Sequence, residues 1–295
     1  MKKVLILGTA HTVLKVDASE VVQGNKDIDL TNENKLVGGG GYTASFLMQK
    51  LELPYTLGVT CGSGVYGDYV YECAQKENIS LKQNDGLAGC AYQVNDPTAN
   101  QTVFYVAGSE YELDRDVLHN LNPDEYDCVV IYSEMLASDY AEEIISLLSY
   151  YQLPIYLIFD HRTMEVDADA LEELYELSPT VIIHQKEAYE LYMDDDMSLD
   201  RILDDLYADA LNTIYFIHDT DGIYRYDAEE RQLIEIEEDS NTELFGIALA
   251  IAKVARIDDK NAFAFAAEVS QLSFEDIKDN TEAIKNRLTT MIAYK

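Results

Sequence analysis

Basic residues are scarce in this sequence of 295 residues, which carries 21 Lys and Arg against 55 Asp and Glu. The formal net charge is -34 at pH 7, and no run of Lys or Arg interrupts the acidic excess. A protein that binds nucleic acid needs a basic surface to contact the phosphates. We therefore expect no nucleic-acid partner, and we interpret the acidity as a property that favours solubility.

Long apolar runs and closely spaced cysteines are missing too. No stretch approaches the roughly 18 consecutive apolar residues of a membrane-spanning helix, so we expect no membrane association. The apolar run that begins at Val4 stops at Gly8, which predicts a first strand and not a signal peptide. The four cysteines form no CxxC pair, which argues against a zinc finger and is typical of reduced thiols in the cytoplasm.

What the chain does contain is a regular alternation of two patterns. Short runs rich in Val, Ile and Tyr alternate with longer segments of helical period, which is typical of a parallel sheet covered by helices on both faces. The predicted strands are residues 4–7, 55–59, 128–132, 155–159, 180–183 and 213–217. The predicted helices are residues 44–51, 67–77, 140–151, 168–177, 199–210 and 244–254. The sequence therefore predicts a single three-layer α/β/α domain over residues 1–295.

Two segments interrupt this alternation, at about 12–37 and 88–107. Each has the pattern of a β-hairpin outside the parallel sheet, and in the second a turn-like stretch covers residues 96–100. Together they predict a small β-sheet that projects from the domain like a lid. Phe104 and Tyr105 could stack on a base there, although packing within the lid explains them more simply.

Two glycine-rich segments lie in the first quarter of the chain. Four consecutive glycines, Gly38 to Gly41, follow a predicted strand and fit either a ligand-binding loop or a flexible hinge. A second segment, from Gly58 to Gly67, joins a strand to a helix. Its spacing is neither GxGxxG nor a P-loop, so it supports neither a dinucleotide site nor a Walker-type site.

The order of these and later motifs resembles the ribokinase family, also called the PfkB family of carbohydrate kinases, along almost the whole chain. The two glycine-rich segments resemble the family's N-terminal signature. Four later segments match in order: Asp160-His161-Arg162 for Asp-x-Asn-x-Arg, His184 to Glu187 for Asn-x-x-Glu, Asp219 to Gly222 for a nucleotide-side loop, and residues 237–245 for D-T-T-G-A-G-D-A-F. The resemblance implies a ribokinase-like fold with a small β-sheet lid.

The resemblance also implies an activity, namely ATP- and Mg²⁺-dependent phosphorylation of a hydroxyl group on a sugar or related small polyol. It implies these site residues: Glu243 as catalytic base; Ser240, Asn241 and Thr242 as the anion hole; Gly39, Gly40 and Thr43 as substrate-binding; His184, Asp219 and Gly222 as nucleotide-binding; and Glu187 on the magnesium side. The free edges of a lid also need to be covered, so a homodimer formed through the lids is a further expectation.

Several positions depart from the family pattern. Val13 stands at the position of the sugar-binding Asp, Ser63 and Gly64 replace two further Asp, and Ser240 and Thr242 replace the glycines of the anion hole. Side chains of Ser, Asn and Thr are good helix N-caps, so capping of the next helix also explains residues 240–242. The acidic residues 237–239 would repel the phosphates of ATP unless magnesium intervenes. A non-catalytic descendant that binds a small molecule or a protein, and a nucleoside kinase, therefore stay open as alternatives.

Two histidines near these motifs, His11 and His184, could serve as bases or ligands because histidine titrates near neutral pH. No HExxH motif and no His/Cys cluster accompanies them. We interpret both as hydrogen-bonded loop residues.

Overall fold

The strands of the computed structural model follow the predicted alternation. The structure describes residues 2–22, 27–98, 101–194, 196–227, 229–236 and 240–293. In chain order its strands are β1 (Lys3–Leu7), β2 (His11–Ala18), β3 (Leu30–Gly38), β4 (Tyr55–Leu57), β5 (Thr60–Ser63), β6 (Lys82–Leu87), β7 (Cys90–Asn95), β8 (Gln101–Val106), β9 (Tyr126–Tyr132), β10 (Ile155–Ile158), β11 (Thr180–His184), β12 (Ile214–His218), β13 (Gly222–Tyr226) and β14 (Arg231–Ile234). All six strands predicted for the parallel sheet are present within one or two residues.

The central sheet has eight strands within the described residues, in the order β14-β13-β12-β11-β10-β9-β1-β4. Strands β12 through β4 in this order pair in parallel, whereas the β12/β13 and β13/β14 pairs are antiparallel. In β10 every residue is buried, and in β1 every residue after the first is buried. Successive side chains of a strand point to opposite faces, so both faces of this sheet are covered.

Helices cover the two faces. They are α1 (Gly40–Lys50), α2 (Gly64–Lys76), α3 (Arg115–His119), α4 (Ala141–Tyr151), α5 (Ala168–Tyr175), α6 (Gln185–Tyr192), α7 (Leu199–Ala210), α8 (Thr242–Val254), α9 (Asp259–Ser270), α10 (Phe274–Asp279) and α11 (Thr281–Ala293). Helix α8 packs on β1, β9, β10 and β11 and contacts α1 and α9, whereas α5 contacts α4 and α7. The predicted three-layer α/β architecture is confirmed.

The glycine run is the place where prediction and structure differ most in the site region. Helix α1 begins at Gly40, four residues before the predicted start at residue 44. Glycine is a poor helix former, so propensity alone argued for a later start. Packing explains the glycines at the start of α1, because a Cβ on Gly41 would lie 1.8 Å from the carbonyl oxygen of Gly8. Only glycine lets α1 approach the end of β1 this closely.

A separate four-stranded sheet occupies the two segments that interrupt the alternation. Its order is β3-β2-β7-β8, with antiparallel β2/β3 and β7/β8 pairs joined by a parallel β2/β7 pair. Residues 23–26 and 99–100 of these segments lie outside the described residues. We call this sheet the lid. Across the described part of the chain, no helix combines the length and apolar character needed to cross a bilayer.

Candidate active site

The polar residues of the candidate site meet at one edge of the central sheet. Thr9, Glu134, Asp160 and His184 follow or end the parallel strands β1, β9, β10 and β11, and Glu243 lies in the first turn of α8. The carboxyl ends of parallel strands share one edge, which is where ligands bind in open α/β sheets. The fold therefore gathers residues that are up to 234 positions apart into one region.

Glu243, the predicted base, faces α1 across the α1/α8 contact. Its Oε2 atom accepts a hydrogen bond of 2.7 Å from the hydroxyl of Thr43. Burial raises the pKa of Glu243 to about 7; the Thr43 hydrogen bond opposes this effect, and the carboxylate of Asp160 adds to it. Near neutral pH the side chain is therefore present both as an acid and as a carboxylate, so it can accept a proton.

Glu134 is a second acid of the site, and sequence reasoning missed it. It lies in the short 3₁₀ turn Ser133–Met135 after β9 and is 1% exposed. Its Oε1 atom accepts hydrogen bonds from the backbone N–H of Thr9 at 2.7 Å and from the Thr9 hydroxyl at 2.8 Å. Its Oε2 atom has no hydrogen-bond partner among the described residues. Burial, followed by the nearby Asp160 carboxylate, raises the pKa of Glu134 well above its usual range, which favours the neutral acid.

Asp160, from the predicted Asp160 to Arg162 motif, connects these elements. Its Oδ2 atom accepts from the backbone N–H of Glu134 at 2.8 Å, and its Oδ1 atom accepts from that of Arg162 at 2.9 Å. Burial raises the pKa of Asp160 to about 6, although these hydrogen bonds oppose the shift. The carboxyl group therefore fixes the loops after β9 and β10 against each other.

The lid closes over this group of acids through an aromatic contact. Tyr105 of β8 stacks on the ring of His161, with centroids 4.2 Å apart and planes inclined by 9°. The ring of His11 meets Tyr105 edge-on at 6.3 Å. Burial lowers the pKa of His11 to about 3 and that of His161 to about 4, so both rings are neutral. His11 Nδ1 lies 3.0 Å from the Thr9 hydroxyl, so the predicted hydrogen bonding is present, but His11 begins strand β2 and is not the loop residue that we predicted.

The glycines predicted to contact substrate are packed against the protein itself. Gly39 has φ of 97°, and a Cβ there would lie 2.4 Å from the carbonyl oxygen of Thr9. A Cβ on Gly40 would lie 2.2 Å from the ring of Tyr132. The glycine run is thus a tightly packed helix start and not a hinge. Contact of Gly39 or Gly40 with a substrate stays a prediction.

The residues predicted on the nucleotide side lie together. His184, Asp219 and Gly222 line one cleft of about 270 Å³, together with Ser240 of the predicted anion hole. His184 Nε2 lies 3.0 Å from Asp219 Oδ1, and its Nδ1 atom accepts from the backbone N–H of Lys186. Burial opposes protonation of His184, but Glu187 and Asp219 outweigh it and raise its pKa. The imidazole therefore bridges the start of α6 and the β12–β13 turn.

The predicted anion hole needs a correction at Asn241. Its side chain caps α8 by accepting from the backbone N–H of Leu244 at 2.8 Å, and its own N–H donates to the carbonyl oxygen of Ser270 at 2.8 Å. The capping interpretation is therefore right for Asn241, and its N–H is already used. The N–H of Asn241 is therefore not free to join an anion hole, and contact of Ser240 and Thr242 with a phosphoryl group stays a prediction. The acidic residues 237–239 lie outside the described residues.

Glu187, predicted on the magnesium side, is 9% exposed at the start of α6. Within the described part of the chain its Oε2 atom accepts no hydrogen bond, although His184 Nδ1 lies 3.5 Å away. Its charge contributes to the raised pKa of Asp160, so Glu187 lies near this central acid. The described residues contain no group of three or more His, Cys, Asp or Glu that could hold a metal ion.

Comparison with known structures shows what this arrangement is similar to. The ribokinase of Thermotoga maritima superposes with a TM-score of 0.74 at 14% identity, covering 99% of this chain and 100% of that one. Arabidopsis thaliana ribokinase, solved with ribose and ATP, gives 0.77 at 14% identity over 99% and 98%. A nucleoside kinase of Burkholderia thailandensis, solved with inosine, gives 0.72 at 12% identity over 95% and 98%.

No protein-family model and no curated protein matches the sequence. At 12–14% identity the structural likeness establishes the fold. The chain has the fold shared by ribokinases and a nucleoside kinase over nearly its full length, as the order of its motifs predicts.

Proposed function

We propose that the chain is a kinase that uses ATP and Mg²⁺ to phosphorylate a hydroxyl group of a sugar or related small polyol, with Glu243 as the general base. The observation that carries this proposal is the setting of the Glu243 carboxylate. It lies at the edge formed by the carboxyl ends of the parallel strands, where ligands bind in open α/β sheets, and it accepts a hydrogen bond from Thr43 and has its pKa raised to about 7. A general base is most effective when its pKa lies near the working pH.

In the proposed reaction the ionised Glu243 accepts the proton of the substrate hydroxyl. The hydroxyl oxygen then bonds to the γ-phosphorus as the bond to the bridging oxygen of ADP breaks, so the products are a phosphate ester and ADP. Glu134, as a neutral acid, would hydrogen-bond another hydroxyl of the substrate through its unpartnered Oε2. The N–H groups of Thr242 and Glu243, at the N-terminus of α8, would face the transferred phosphoryl group.

One residue predicted on the nucleotide side has contacts that fit a bound magnesium nucleotide. Glu187 carries a buried carboxylate oxygen without a partner among the described residues. Mg²⁺ prefers oxygen ligands and is usually bound by one or two carboxylates together with phosphates and waters. Glu187 would therefore hold the ion, which would neutralise charge on the phosphates. The cleft lined by His184, Asp219, Gly222 and Ser240 would hold the nucleotide.

A second candidate is a non-catalytic descendant of a sugar kinase that binds a small molecule. Two features favour it. The side chain of Asn241 caps α8 and its N–H donates to Ser270, so neither is free to bind a phosphoryl group. In addition, Ser240 and Thr242 carry side chains at positions where the family has glycine. A nucleoside kinase has less support, because one face of Tyr105, a candidate for base stacking, already lies on His161.

The test combines binding with turnover. Thermal-shift titrations with ATP and Mg²⁺, with and without a panel of sugars, polyols and nucleosides, are followed by assays of ADP release. We expect MgATP to stabilise the protein, and Glu187→Gln to weaken that effect. Glu243→Gln should keep ligand binding but turn over about a hundredfold more slowly, whereas Glu142→Gln, a change of an exposed acid on α4, serves as the matched control.

Two outcomes decide between the candidates. Normal turnover in Glu243→Gln would remove this residue as the base. Absence of any stabilisation at millimolar MgATP, together with stabilisation by one sugar or polyol, would favour the non-catalytic protein.

We further propose that the chain forms a homodimer through its lid. On β8 the consecutive residues Val103 to Val106 are 37%, 50%, 39% and 56% exposed, and Leu30 and Leu36 of β3 are 51% and 42% exposed. Both β3 and β8 are edge strands of the lid sheet. Exposed apolar residues along an edge strand favour association, and a second lid is the occupant that offers a matching edge.

A further inference from the structure

A second cavity lies outside the candidate active site and has no role in the proposed reaction. It is a groove of about 640 Å³ formed by α5, the end of α6, the end of α7 and the short 3₁₀ turn Thr163–Glu165. None of its lining residues lines the nucleotide-side cleft. Its volume falls within the range of about 300–1,000 Å³ that is typical of sites for small molecules.

The floor and rim of this groove are apolar. Leu171 and Tyr175 of α5 are buried beneath it, whereas Met164, Met193 and Leu211 at the rim are 57%, 84% and 66% exposed. Methionine side chains adapt to ligands of different shape, and solvent contact with this much apolar surface is unfavourable. The groove therefore offers a place for an apolar body of moderate size.

The charged residues of the groove all have the same sign. Its lining contains the carboxylates of Glu172, Glu176, Glu190 and Asp209, and it contains no Lys or Arg among the described residues. Burial raises the pKa of Glu190 and of Asp209. For Glu190 the Lys186 ammonium opposes this rise and Glu187 adds to it, whereas for Asp209 the carboxylates of Asp205 and Glu172 add to it. Lys186 approaches Glu190 only to 3.9 Å from outside the groove. A positively charged group placed beside Asp209 and Glu172 would relieve the repulsion between these two carboxylates.

A buried hydroxyl in the groove lacks a partner. Tyr175 is 8% exposed, and its hydroxyl makes no hydrogen bond to any residue that the structure describes. The charge of Asp209 acts on this hydroxyl, which places the two groups near each other. Leaving a buried hydroxyl unpaired is unfavourable, so a ligand that supplies a hydrogen-bond donor or acceptor here gains affinity.

We propose that this groove is a binding site for a small organic cation, in which an ammonium or guanidinium group lies among the carboxylates of Glu190, Asp209 and Glu172. Its aromatic or aliphatic body packs against Leu171, Met164 and Met193, and the Tyr175 hydroxyl hydrogen-bonds its polar end. The proposal is independent of the kinase activity, because the groove and the active site share no lining residue.

The test uses the full chain with ¹³C-labelled methionine methyl groups and three probes of matched shape: phenethylammonium, 2-phenylethanol and phenylacetate. We expect phenethylammonium to shift the methyl resonances of Met164 and Met193 in a saturable way, while the core residue Met48 does not respond. The neutral alcohol should bind about tenfold more weakly, because it lacks charge-assisted hydrogen bonds, and the anion should not bind. Raising the salt concentration should weaken binding of the cation.

Variants of the groove carboxylates test which of them bind the cation. The double change Glu190→Gln and Asp209→Asn should weaken phenethylammonium binding about tenfold or more, and Glu142→Gln on α4 should leave it unchanged. If the double variant does not fold, Glu172→Gln with Glu176→Gln, at two exposed positions, gives the same test. Equal binding of the cation and the alcohol, or no response of Met164 and Met193 at millimolar phenethylammonium, would overturn the proposal.

Discussion

Replacing Thr43 with valine tests whether one hydroxyl group sets the protonation of the proposed base. Valine keeps the shape of threonine but cannot donate the 2.7 Å hydrogen bond to Glu243 Oε2. That hydrogen bond favours the carboxylate form and opposes the effect of burial, which raises the pKa of Glu243 to about 7. Loss of the donor therefore makes the carboxylate less stable, and the pKa of Glu243 should rise.

The size of the effect follows from the strength of such a hydrogen bond. A hydrogen bond to a charged group contributes about 1.5–3 kcal/mol, and about 1.4 kcal/mol corresponds to one pH unit. The midpoint of the rising limb of kcat/KM against pH should move up by about one to two units. At pH 7 the ionised fraction would fall from about one half to between about a tenth and a hundredth, which slows turnover roughly five- to fiftyfold.

The assay is the pH dependence of kcat/KM between pH 5.5 and 9.5, measured with the substrate that the binding panel identifies. The rate of Thr43→Val should approach that of the unmodified protein at high pH, and Thr43→Ser, which keeps the hydroxyl, should restore the original profile. A rate that falls equally at every pH, without movement of the midpoint, would refute the reasoning and assign Thr43 a different role, such as contact with substrate.

Three further predictions follow from the same contacts. Glu243 has a folded-state pKa above its unfolded value, so its contribution to stability is present below about pH 4.5 and is lost as the pH rises through 7. The Tm of Glu243→Gln should therefore equal that of the unmodified protein near pH 5 and exceed it at pH 8. The same difference in Tm between the two proteins at both pH values would contradict this. Gly41→Ala would place a Cβ 1.8 Å from the carbonyl oxygen of Gly8 and should lower the free energy of unfolding, measured in urea, by about 1–3 kcal/mol. An unchanged urea midpoint would show that α1 shifts freely to make room for the methyl group. Phe104→Glu, at a residue 50% exposed on the lid, should convert a dimer to a monomer in light scattering at an unchanged Tm; a mass that stays dimeric would place the interface elsewhere.

The alternation of apolar runs and helical segments was sufficient to predict the fold class, because buried parallel strands leave continuous apolar runs in the sequence, whereas the ribokinase-like fold was predicted from the order of the motifs. Helix α7 has the predicted bounds, residues 199–210. The start of α1 was wrong because the close approach of Gly41 to Gly8 is a contact between distant residues, which no local pattern records. Helix α9, Asp259–Ser270, was not predicted, although its Asp258 N-cap accepts a hydrogen bond from the backbone N–H of Asn261 and could have marked its start.

The site residues were predictable where they belong to a sequence motif. They were not predictable where burial in the fold determines their role. Glu243 and Thr43 were named from separate motifs, but only the fold brings their side chains to 2.7 Å. Glu134 belongs to no motif that we recognised, yet it follows the predicted strand 128–132 after one residue, much as Asp160 directly follows the strand 155–159. An acid immediately after a fully apolar strand was therefore the available sign of a site residue. Burial then changes its chemistry, because the environment that raises the pKa of Glu134 favours the protonated form, which can donate a hydrogen bond, a role that its sequence position alone does not suggest.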